Sequence, residues 1–156
     1  MPRRAAVRLA ALLVVVAVAA VSTVVAVEAL GGEGRPTEAE YLAEVAAICK
    51  EYGERLDRIA PPGDISSPGA VVSSIATALP VLRAQLRAVR ALRAPRSLEA
   101  DLERFFTLTD RSLDELQEAH DAAFERELFP MAKALTRFGE VRDEAKAISR
   151  ALGFHC

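Results

Sequence analysis

Residues 97–124 read SLEADLERFFTLTDRSLDELQEAHDAAF, and the spacing of the apolar members decides the fold. Leu98, Leu102, Phe105, Thr109, Leu113, Leu116, His120 and Ala123 follow one another at steps of three and four. That is the period of one face of an α-helix, with charged residues filling the other faces. Ser97 stands at the cap position. The helix is expected to end between Phe124 and Phe129, because Pro130 suits the first turn of another. That next helix has the stripe Leu135, Phe138, Val141, Ala145, Ile148 and Leu152. Gly153-Phe154 after it predicts a Schellman ending, with glycine left-handed and the phenylalanine folded back.

Two more helices precede this pair. Thr37-Glu38-Ala39-Glu40 is a capping box, and Tyr41, Val45, Ile48, Tyr52, Leu56 and Ile59 form the stripe behind it. Pro61-Pro62-Gly63 closes that helix. Ser67-Pro68 opens the second, with a stripe of Val72, Ile75, Leu79, Leu82, Leu86 and Val89. Pro80 lies inside it, yet the stripe keeps its phase, so one kinked helix is expected up to Ala94-Pro95. Narrow stripes and short turns predict an all-α, antiparallel four-helix bundle over residues 37–156.

The N-terminus is different. Leu9 to Val27 is a charge-free run whose only polar members are Ser22 and Thr23. At about 1.5 Å per residue it spans close to the ~30 Å hydrocarbon core. Arg3, Arg4 and Arg8 precede it, while Glu28 and Glu33 follow. The positive-inside bias therefore predicts a cytoplasmic segment 1–8, a transmembrane helix 9–27, a linker 28–36 and an extracytoplasmic domain. The rival is a cleaved signal peptide with Val24 and Ala26 at the −3 and −1 places, which would make the protein secreted.

The chain holds two cysteines, Cys49 and Cys156. Export makes a disulfide between them plausible chemistry. Counting about 1.5 Å per helical residue puts Cys49 about 18 Å above Thr37 and the end of the fourth helix roughly 7–10 Å above it. A chain turned back at Gly153 could close the gap to the ~5.5 Å Cα separation a bridge requires. The pair is not a CxxC, which argues against dithiol redox catalysis.

Tyr41…Ile48-Cys49 near the start and Ala151-Leu152-Gly153-Phe154-His155-Cys156 at the end resemble a loose group of small exported actinobacterial helical proteins. Members carry an N-terminal membrane segment, proline-punctuated helices and a terminal Leu-Gly-aromatic-x-Cys. The resemblance implies the same fold and bridge and supplies no catalytic residue.

Composition narrows the function. Hydrophobic residues make up 51% and aromatics 5%, with no Trp. Residues 28–156 carry 17 basic and 22 acidic side chains, a net charge of −5 that does not suit nucleic acid. His120 and His155 are the only histidines, and neither lies in HxxxH, HExxH or CxxCH, so no metal or haem site is expected. Glu-x-x-His pairs and phosphate-binding glycine loops are missing as well. His120 is expected to be a structural seam residue satisfied from a neighbouring helix, and His155 to face solvent. Asp110, Asp114, Glu118, Asp121 and Glu125 form one charged stripe, and Arg83, Arg87 and Arg90 another. These are expected to be solvated faces that set helix register, with the arginines as a candidate anion or headgroup contact.

No enzyme, cofactor or metal is expected. The leading expectation is a non-catalytic, membrane-anchored interaction or structural module of the cell envelope with a protein partner. Exposed Phe106, Phe124 and Phe129 would favour it. The alternative is a binding protein for a small apolar or anionic ligand between the helices. A pocket at Pro80, or one lined by Tyr52, Thr109 and His120, would favour that reading.

Overall fold

The computed structural model describes residues 34–154 apart from 62, 64 and 65. The expected segments 1–8 and 9–27, most of the linker, His155 and Cys156 therefore lie outside the described residues. Four helices make a helical bundle: α1 Glu38–Leu56, α2 Pro68–Ala91, α3 Glu99–Phe124 and α4 Leu128–Ala151. A single 3-10 turn, Arg96–Leu98, leads into α3, and no strand occurs among the described residues.

Local chemistry explains most of the boundaries. Thr37 caps α1 as its sequence predicts: the Glu40 amide donates to Thr37 Oγ1 at 3.2 Å, and the Thr37 amide donates to Glu40 Oε2 at 2.8 Å. These two bonds satisfy donors that the first helical turn leaves orphaned. Pro68 occupies the first turn of α2, and Pro80 leaves that helix uninterrupted while facing solvent. Gly153 closes α4 with φ +79°, its amide donating to Arg150 O and the Phe154 amide to Ser149 O. That is the expected Schellman pattern.

Several expectations need correction. Helix α1 ends at Leu56 rather than at the prolines, and α4 begins two residues before Pro130. Ser97 is not the cap of α3. It sits in the 3-10 turn, and its hydroxyl donates to Glu38 Oε1 at 2.6 Å, tying that turn to the start of α1. On α2 the buried residue is Val71, with Val72 only half-buried.

The core has two parts. One gathers Tyr41, Val45, Cys49, Val89, Leu102, Leu152 and Phe154, with half-buried Ile148 of α4 against them, and so draws on all four helices and the α4 ending. Phe154 is its hub, 6.3 Å from the Tyr41 ring and 5.4 Å from Phe105 in an edge-on arrangement. The other part draws its buried members from α2, α3 and α4 alone: Val71, Ile75 and Leu79 meet Leu116, Ala119 and Met131 among others. Ala119 is fully buried and Ser112 nearly so, which lets helix backbones approach closely.

Helix α2 is, by length and a mean hydropathy of 1.3, apolar enough to cross a membrane. It places five residues in the core and carries Arg83, Arg87 and Arg90. Core burial and three arginines are what an interior helix with one wet face requires, and each arginine would be costly in hydrocarbon.

Candidate functional site

The residues singled out from sequence scatter over several places. Tyr52 is half-buried on α1 with the Arg55 guanidinium 4.9 Å from its ring centre. Thr109 is half-buried, and its hydroxyl donates to Phe105 O at 2.8 Å, a bond back into its own helix. His120 lies eleven residues further along α3, about 16 Å away at helical rise. Thr109 and His120 therefore do not share a pocket.

The arginine stripe divides. Arg90 donates through Nη2 to Asp110 Oδ2 at 2.7 Å and lies over the Phe106 ring at 4.8 Å. Phe106 is correspondingly half-buried, not exposed. Arg83 reaches Asp114 only at 4.0 Å, with the aspartate side chain 77% exposed. Arg87 makes no ion pair or side-chain hydrogen bond among the described residues. Glu118 turns away from this face altogether: with Glu115 it holds Arg137 of α4, the Glu115 bond measuring 2.6 Å. Hydrogen bonding to Glu115, with the charge of both glutamates behind it, raises the Arg137 pKa above its ordinary value.

What α2 and α3 do bring together is an open groove of about 440 Å³ beside Pro80. Ala76, Pro80, Arg83 and Arg87 form one wall, Gln117 and His120 the other, and Leu79 the floor. His120 is satisfied within α3 rather than from a neighbouring helix: its Nδ1 lies 2.9 Å from Asp121 Oδ1. Gln117 Nε2 donates to the same oxygen at 2.9 Å. The His120 bond, then the Gln117 bond, lowers the Asp121 pKa below its ordinary value. With Nδ1 on the carboxylate, Nε2 is the ring nitrogen left for another partner.

A second feature stands at the α3–α4 turn. Phe124, Leu128 and Phe129 are 73%, 57% and 80% exposed, the only large apolar side chains so exposed among the described residues. The turn between them is a Schellman closure of its own, with Arg126 donating to Ala123 O and Glu127 to Ala122 O. Arg126 holds φ +62°, a left-handed conformation usually given to glycine. It borders a shallow groove with Phe124 and Pro68. The exposed phenylalanines were legible as stripe outliers; the strained Arg126 was not, since nothing in its neighbours marks it.

Among the described residues no group of three or more His, Cys, Asp or Glu could hold a metal ion. Cys49 is 5% exposed in the four-helix part of the core, and no cysteine among the described residues is a free thiol. No protein-family model, curated protein or solved structure matches the chain.

Proposed function

We propose that this chain is a non-catalytic interaction or structural module of the cell envelope, held by an N-terminal transmembrane helix with its domain outside. The observation that carries the reading is the exposed Phe124–Leu128–Phe129 tip. Three large apolar side chains, each more than half exposed, fall within six residues of one turn, and exposed apolar patches mark interaction sites, where aromatic anchors dominate binding energy. The tip lies at the end of the bundle away from Thr37, where the linker enters. A domain fixed at one end and sticky at the other suits a partner in the envelope.

The bundle is read as antiparallel, up-down-up-down. Arg83 meets Asp114 while Arg90 meets Asp110, so numbering rises along α2 as it falls along α3. Cys49 is read as bridged to Cys156. Phe154, two residues before Cys156 in sequence, packs in the same cluster as Cys49, which supports that reading. Thiol labelling of denatured, unreduced protein should then find no sulfhydryl, and two labelled cysteines would refute the bridge. The N-terminal segment is read as uncleaved from its length and arginine flank. A soluble mature chain beginning near Val27 would refute that.

The functional test is photo-crosslinking in intact cells from a reactive residue placed at 129. A discrete envelope protein should be captured from this position and lost when Phe124 is also changed to Ser. Absence of any adduct, or equal capture from exposed Ala46 on α1, would remove the tip as an interface.

A further inference from the structure

We propose that the Pro80 groove is a binding site for a small phosphate monoester, independent of the apolar tip. Arg83 and Arg87 are four residues apart and so share one helix face, with Cβ atoms about 5–6 Å apart. Their forked guanidinium groups can both reach a single tetrahedral oxyanion from the α2 side. His120 Nε2 and the side-chain amide of Gln117 approach from α3. Four donor groups converging from two helices fit the three oxygens of a phosphate better than the two coplanar oxygens of a carboxylate.

The internal partners leave this site open. Arg90, one turn further along, is fixed on Asp110 and Phe106, whereas Arg87 has no carboxylate among the described residues. Asp114 competes for Arg83 only at 4.0 Å from an exposed position, a contact worth little in water. Asp121, the other nearby carboxylate, is engaged through Oδ1 by both His120 and Gln117. The hydrogen bond at Nδ1 orients the imidazole ring and leaves Nε2 to a ligand.

The chemistry of a phosphate monoester could come from a dissolved metabolite or from a lipid headgroup. Pro80 is about 18 Å along α2 from Pro68 and about 17 Å from Ala91. The groove is open to solvent on the flank of the bundle, and the dissolved form is the one proposed.

Phenyl phosphate is the probe, titrated into the full-length chain in phosphatidylcholine nanodiscs, with calorimetry and the His120 ring signals as readouts. One saturable site is expected. Arg83→Gln and Arg87→Gln should each weaken it about tenfold or more, as loss of a charged hydrogen bond does, and Arg90→Gln should change it by about twofold or less. Arg87 is exposed and makes no ion pair among the described residues, so its variant keeps the fold and is the decisive one; circular dichroism checks this. The proposal is overturned by the absence of saturable binding, by equal losses in the Arg90→Gln and Arg87→Gln variants, or by benzoate binding as tightly as phenyl phosphate. It is also overturned if phosphate binds only when presented as phosphatidic acid in vesicles.

Discussion

The two ends of the bundle use the same kinds of residue to opposite effect. At the end where α1 begins, Tyr41, Phe105 and Phe154 are packed together and all four helices contribute. At the end where α3 turns into α4, the buried residues come from three helices and none is aromatic, while two phenylalanines stand in solvent. Both ends close a helix with a Schellman turn, one through Gly153 and the other through Arg126. The difference separates stability from recognition: one end buries its aromatics, the other keeps them available and tolerates a strained backbone beside them.

Substitution can break that contrast. Tyr41→Ala should have the largest effect, destabilising by about 3–5 kcal/mol because it removes an almost fully buried ring from the four-helix core. Phe129→Ala should stay within about 0.5 kcal/mol, as expected of an exposed side chain. Thermal unfolding followed by circular dichroism compares the two, and equal losses would mean that the tip is part of the core. Ala119→Leu comes next, at about 1–3 kcal/mol, since the added methylenes have no space where the residue is fully buried. The same melting curves read it, and an unchanged midpoint would show slack packing between the helices.

The two Schellman turns should respond with opposite signs. Gly153→Ala is expected to cost about 1 kcal/mol through backbone strain, because the added Cβ meets Leu42 Cδ1 at an ordinary 3.6 Å. Arg126→Gly should stabilise by about 0.5–1 kcal/mol by relieving left-handed strain, less the greater freedom of glycine in the unfolded chain. Denaturant midpoints of both variants test the pair. A loss at Arg126 would mean that its side chain, not its backbone, holds the tip.

The smallest effect concerns the capping box. Hydrogen bonds from the Thr37 backbone, then the Thr37 side chain, lower the Glu40 pKa below its ordinary value of 4.5. A depressed carboxylate contributes stability that is present above the unfolded value and is lost as pH falls through the folded one. The start of α1 should therefore loosen only below pH 4.5. The Glu40 side-chain titration, followed by NMR, should move up toward 4.5 in Thr37→Ala. An unmoved midpoint would show that the box does not form in solution.

Periodicity alone placed four helices, because the apolar stripe that makes a helix amphipathic is written in the spacing of Leu, Ile and Val. The capping residues Thr37 and Pro68 and the closing Gly153-Phe154 were legible for the same local reason: each satisfies orphan backbone groups within a few residues of itself. What lay beyond that reach was set by packing. Ser112 and Ala119 give no hydrophobic signal and are buried because neighbouring helices approach there. Val71 displaced Val72, and α1 ended before its prolines, because the side of a helix that is covered depends on which partner lies against it. The three arginines look alike in sequence, since they repeat on one stripe. Only the tertiary structure separates them, fixing Arg90 on Asp110 and leaving Arg87 open beside His120, because the partner of an ion pair across two helices is chosen by register and not by spacing within one chain segment.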